Sequence, residues 1–369
     1  MQFRVANEEI RKRDIPESHK NNFNVIRLIA AFLVIYGHMS AIVGLPIYQI
    51  WGRNTSSYGL FMLFAIGGCL IAESWNRDSN TFRYFVRRVF RIMPGYIVML
   101  LFSVLVVGTL VTSVSIQHYF EWGAWDYFWH NVRFHMIYNL PGVFLDNPYP
   151  VAVNGSLWSL PVEMTCYVIA YIILRTRRND KRTGIVLFAI CSCVFGYLYS
   201  QLNVWEDVVV YNTSLRSCAD IIPFFAVGMA FSIPEVKKTL NIQVAMVLLL
   251  ALALVEVPDS IAALLLYIVV PYIVFSFAYA AEPVFCRLGR KYEISYGLYL
   301  YAFPVQQLLV YYTYRAGYPL PFVAYMALTL LFTSVLALLS YRFVEKPAMS
   351  LAKKLLKWSA NRQSEKKGK

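Results

Sequence analysis

The chain has 369 residues, of which 58 % are hydrophobic and only 15 % charged, with a mean hydropathy of +0.50. Soluble domains are nearer about 45–50 % apolar and about 25 % charged, so a soluble globular protein, a disordered chain and a disulfide-stapled secreted scaffold are excluded in favour of an all-α integral membrane protein. The net charge of +13 lies in connecting segments, where Lys and Arg report membrane orientation first, and it does not call for nucleic acid.

Residues 1–20 form a polar, charged N-terminal tail, and the first apolar run after it is long enough to span, so no cleavable signal peptide is expected. A span needs about 20 mostly apolar residues. The chain offers about ten, roughly 24–44, 58–74, 96–115, 156–175, 183–201, 215–232, 240–257, 260–281, 293–314 and 320–344. With the N-terminus inside, 29 of the 34 Lys and Arg residues fall in inside segments. Only Arg53, Arg133, Arg216 and Arg315 fall outside, and Arg27 lies within the first span. That asymmetry predicts a multi-pass membrane protein with both termini in the cytoplasm. Residues 21–350 then form one membrane domain. It includes an amphipathic cytoplasmic helix at about 79–94 and an aromatic-rich extracytoplasmic segment at about 116–155. A basic cytoplasmic tail follows at 351–369. The six cysteines, Cys69, Cys166, Cys191, Cys193, Cys218 and Cys286, show no CxxC or Cys/His metal spacing and read as small buried side chains, so no metal is expected.

Ionisable groups inside a bilayer are costly, which makes each a functional candidate. Four stand out: Arg27, His38, Glu163 and Asp220. Arg27 and His38 are eleven residues apart, about 1100° of helix, so they share one face about 16 Å apart along the axis. Arg27 is either a snorkelling anchor or a functional cation near the cytoplasmic end. His38 is either a hydrogen-bond partner between helices or a base past mid-membrane. Glu163, about 10 Å into its span, matches the depth of His38, and a carboxylate facing an imidazole would fix its tautomer and raise its basicity. Its alternative is a hydrogen bond to Ser or Tyr in packing. Asp220 follows Arg216 by four residues and reads as half of a structural i,i+4 pair. The cytoplasmic run Thr81 to Arg91 carries Arg87, Arg88 and Arg91, suited either to anionic lipid or to the phosphates of a polyanionic ligand.

These segments together resemble the membrane acyltransferase-3 family, which includes bacterial polysaccharide O-acetyltransferases. Asn22 to His38, with Arg27 and His38 ten residues between, matches the family's opening Arg-x10-His. Gly67 and Gly68 look like its second span, and Arg87-Arg-x-x-Arg91 like its basic motif. Ser156-Leu-Trp-Ser-Leu-Pro-Val-Glu163, Ile294 to Pro304 and Arg342 to Pro347 match later motifs, in the expected order over roughly residues 20–350. The chain departs at Ala302, where many members carry His, which would leave the chemistry to His38.

The resemblance implies transfer of an acyl group, usually acetyl from acetyl-CoA, to a hydroxyl of an extracytoplasmic or lipid-linked glycan. His38 and Glu163 would then be catalytic, and Arg27, Arg87, Arg88 and Arg91 would hold the donor. Expected partners are acyl-CoA, the glycan acceptor, membrane lipid and glycan-assembly proteins. Intramembrane Arg, His and Glu also suit a transporter or flippase of a lipid-linked glycan, or the chain could be a non-catalytic membrane subunit that docks assembly proteins.

Overall fold

The computed structural model describes residues 21–176, 178–201, 208–210, 212–280, 285 and 292–367. The N-terminal tail 1–20, Cys286 and the basic loop residues Arg287, Arg290 and Lys291 lie outside the described residues.

The chain is built almost entirely of helices. In order these are α1 (Phe23–Ile42), α2 (Thr55–Arg77), α3 (Thr81–Phe102), α4 (Ile116–Tyr119), α5 (Trp125–Val132), α6 (Ser159–Leu174), α7 (Arg178–Gln201), α8 (Leu215–Ala230), α9 (Pro234–Lys237), α10 (Ile242–Leu254), α11 (Asp259–Ala278), α12 (Ser295–Arg315), α13 (Phe322–Ser340) and α14 (Lys346–Lys367). Strand is confined to two short antiparallel hairpins, β1 (Gln49–Ile50) with β2 (Arg53–Asn54), and β3 (Val209–Val210) with β4 (Thr213–Ser214). Each of the ten expected apolar runs coincides with a helix. Among the described residues, six helices are long and apolar enough to cross a membrane, and α6 and α10 are shorter apolar helices. The protein is a multi-pass membrane protein, and its surface agrees. On α10 the side chains of Val247, Leu250 and Leu254 are exposed, a distribution that water would penalise and lipid does not.

Small residues set the contacts at the centre of the bundle. A Cβ on Gly59 would collide with the carbonyl oxygen of Ala30, bringing α2 against α1. Cβ atoms on Gly68 and Gly228 would collide with the carbonyls of Phe225 and Ala65, locking α2 against α8. Such close backbone approach is how helices associate where lipid is as apolar as the side chains.

Two segments take a form that the sequence reading left open, and one expectation, at Cys191, is corrected. The amphipathic segment expected at 79–94 is not a separate helix. It is the first half of α3, which runs on through Pro94 and a π turn at Ser103–Gly108 to Val111. The C-terminal segment is helical, because α14 follows a π turn at Tyr341–Glu345 and continues to Lys367. Cys191 is exposed, not buried, because it sits on the outward apolar face of α7, where a small apolar side chain needs no core.

Candidate active site

Among the described residues, two cavities in the bundle hold the ionisable side chains singled out above. The larger, about 620 Å³, collects most of the basic side chains singled out above: Arg27 from α1 and Arg87, Arg88 and Arg91 from α3, facing Glu163 and Tyr167 of α6. α14 adds Met349 and Lys353 to its wall, and apolar residues such as Leu63, Phe64 and Phe225 complete it.

The arginines in this cavity are not equivalent. Glu293, at the start of α12, uses one carboxylate oxygen to accept from both Arg27 Nη1 (2.5 Å) and Arg91 Nη2 (2.7 Å). Arg87 pairs with Asp78, which also accepts from Arg83 Nη2 at 2.6 Å. Asp78 lies in the loop between α2 and α3. The hydrogen bond from Arg83 holds its carboxyl below the ordinary carboxylate range against the opposing effect of burial, with Arg87 adding to the shift. Arg88 differs: its Nε and Nη2 are buried with no hydrogen-bond partner among the described residues. Its guanidinium carbon lies 4.9 Å from the ring centre of Tyr84 and 5.9 Å from that of Tyr167. Two ring faces nearby stabilise a cation but leave Nε and Nη2 unsatisfied.

The smaller cavity, about 200 Å³, holds His38 together with Arg53, Ser56, Ser57, Trp158, Ser217 and Asp220. The His38 ring meets Phe303 edge to face at 5.2 Å between centres. Neither ring nitrogen has a hydrogen-bond partner among the described residues. A half-buried imidazole with free nitrogens in a polar pocket can accept a proton from a ligand hydroxyl.

The structure therefore brings Arg27, Arg87, Arg88, Arg91 and Glu163 together and sets His38 apart. Glu163 accepts a hydrogen bond from Tyr167 and faces the arginines, not His38. Depth along a helix, used above to pair them, counts rise and not the direction in which a side chain points. Asp220 has a partner beyond Arg216, which acts on it electrostatically: its carboxylate accepts from Arg53 Nη1 at 3.0 Å, across from β2.

Sequence reasoning missed Glu293, Arg53 and Tyr167. A signal existed for two of them. Arg53 was one of four basic residues out of place in the outside loops, and Glu293 is an acid within a basic inside segment, next to the motif that opens at Ile294.

Among the described residues, no group of three or more His, Cys, Asp and Glu side chains is placed to hold a metal ion. The family model described as "Acyltransferase domain" matches residues 20–339. The chain is 26 % identical over 346 residues to a protein named "O-acetyl transferase" from Shigella phage Sf6, covering 89 % of this chain and 96 % of that one. It is 27 % identical over 365 residues to "Nodulation protein 10" from Rhizobium leguminosarum bv. viciae, covering 92 % and 95 %. No solved structure matches the chain.

Proposed function

The chain belongs to the membrane acyltransferase-3 family and is an acyltransferase, and from that premise we propose that it transfers acetyl from cytoplasmic acetyl-CoA to a hydroxyl of an extracytoplasmic or lipid-linked glycan. We place it in the bacterial inner membrane, with about ten spans and both termini in the cytoplasm.

The observation that carries the donor side is Arg88. A buried guanidinium with two unused donors is expensive unless something supplies an anion, and the diphosphate of CoA is an anion of the right kind. Arg27 and Arg91, aligned by Glu293, and Arg87 would add charge around it. The apolar wall of Leu63, Phe64 and Phe225 suits the pantetheine arm. Glu163 would serve here as a counter-charge within the arginine cluster, not as the orienting partner of His38.

On the acceptor side, His38 takes the proton from the attacking hydroxyl. The hydroxyl oxygen forms a bond to the thioester carbonyl carbon, the carbon–sulfur bond breaks, and the thiolate leaves. His38 then returns its proton to the thiolate, so the imidazole ends neutral. Arg53, Asp220 and the serines of the outer cavity would hold the neighbouring hydroxyls of the sugar.

The test is release of free CoA by purified protein in nanodiscs, given acetyl-CoA and a membrane glycan extract, with His38→Ala in parallel. Loss of a general base is expected to slow transfer by about 10²–10⁴-fold while acetyl-CoA binding is retained. Transfer at the wild-type rate in His38→Ala would end the proposal.

A further inference from the structure

The two cavities are built from the same helices, laid end to end. α1 gives Arg27 to the larger and His38 to the smaller. α8 gives Phe225 to the larger and Asp220 and Ile221 to the smaller, and at the start of α6 the boundary falls between Trp158 and Ser159. Among the residues lining them, Leu60 alone belongs to both.

We propose that the Leu60 side chain is the septum between the donor and acceptor cavities and sets the size of the acyl group that reaches His38. The proposal rests on the acyl-transfer reading above and adds a specificity-determining residue to it.

The surroundings of Leu60 are rigid. Its chain neighbour Gly59 is pressed on the carbonyl of Ala30, and further along α2 Gly68 is pressed on Phe225. Separating these helices would break close backbone contacts on both sides of α2 at once. Phe61, the next residue, is 3 % exposed and stacked on Phe224, with ring centres 3.9 Å apart and planes 12° apart. Leu60 is the exception. It is itself buried, at 8 % exposed, yet its side chain borders both cavities, so part of its surface meets open space instead of a packed neighbour. An opening made by one leucine side chain is small, and a small opening suits a small acyl group.

The chemistry on passage is that given above: the carbonyl carbon exchanges its bond to sulfur for a bond to the acceptor oxygen, and the hydroxyl proton moves through His38 to the departing thiolate. Leu60 takes part in no bond and acts only on which thioester arrives.

The experiment uses full-length protein in nanodiscs, with acetyl-, propionyl- and butyryl-CoA as donors and a membrane glycan extract as acceptor. Transfer of radiolabelled acyl groups and acetyl-CoA binding are read in the same preparations. One methylene in an apolar passage is worth about 10–200-fold in specificity. Leu60→Ala should therefore raise the propionyl-to-acetyl ratio of kcat/KM by about tenfold or more. Leu60→Val should give an intermediate ratio, which keeps the series informative if the larger variant fails to fold. Leu60→Phe should lower acetyl transfer by at least about tenfold, and by more than it lowers acetyl-CoA affinity. An unaltered acyl profile in Leu60→Ala and Leu60→Val, in protein that binds acetyl-CoA and transfers it in a His38-dependent way, overturns the septum. Failure of wild-type protein to transfer any acyl group overturns the underlying reading instead, so the two failures are distinct.

Discussion

Replacing Arg88 by methionine separates a structural role from a binding role, because the two give opposite signs. Methionine keeps most of the apolar stem and removes the guanidinium. Ordinary arginine removal breaks hydrogen bonds or an ion pair, and breaking a buried pair costs about 3–5 kcal/mol. Arg88 has no such bond at Nε or Nη2. What it loses is the stacking on Tyr84 and Tyr167, worth about 0.5–2 kcal/mol. What it gains is relief from desolvating two unpaired donors, about 1–3 kcal/mol for each unsatisfied group. The thermal midpoint of Arg88→Met should therefore equal or exceed that of wild type. Donor binding should move the other way. One charged hydrogen bond to phosphate contributes about 1.5–3 kcal/mol, which at 1.4 kcal/mol per decade is a loss of about 10- to 150-fold in acetyl-CoA affinity. The assay is titration of acetyl-CoA into nanodisc-held protein, with thermal unfolding of the same sample. Arg91→Met is the comparator. It strips Glu293 of one of its two partners and should lower the midpoint. A destabilised Arg88→Met that binds acetyl-CoA as wild type does would refute the assignment of Arg88 to the donor.

Two more outcomes follow from the ion pairs. Asp78→Asn should remove a stability contribution that depends on pH. Because the folded carboxyl titrates below its ordinary value, that contribution is complete above the unfolded pKa of about 3.9 and fades as pH falls through the lower, folded value. The midpoints of wild type and Asp78→Asn should differ at pH 6, and the gap should shrink as pH falls below about 3.9, whereas a gap independent of pH would show that the carboxylate charge is not responsible. Asp220→Asn should raise the KM for the glycan acceptor while leaving acetyl-CoA affinity unchanged, since Asp220 lines the cavity of His38 and not that of the arginines. Equal effects on both substrates would count against separate subsites.

The helices were legible in the sequence because lipid imposes a simple demand: a long run of apolar residues with its backbone bonded internally. Even the break at Pro258, between α10 and α11, could be read, since Pro258 precedes the first residue of α11. The arginine cavity was half legible. Arg87, Arg88 and Arg91 announce themselves by spacing, and Arg27 by its cost in a span. What could not be read was pairing across helices. Glu163 and His38 agree in depth yet face different cavities, because azimuth depends on how α6 packs. Asp220 hydrogen-bonds Arg53 of β2 besides feeling Arg216, because a tertiary partner across the bundle leaves no mark in spacing along one helix. Glu293 was only faintly marked for a related reason: an acid beside a basic segment acquires meaning only when the chain carries it against α1 and α3.

The division of the bundle by one side chain also bears on the energetics of the cell that makes it. A membrane that stores energy as a proton gradient does not tolerate a continuous file of water through one of its proteins. Thioester and sugar must nonetheless meet somewhere between the two aqueous phases. Two chambers kept apart by a leucine, as proposed, would satisfy both demands, because an acyl carbonyl can cross an apolar plug that hydrated protons cannot. On this account Leu60 is insulation as well as a sieve, and an alanine in its place would admit larger acyl groups at the risk of a leak.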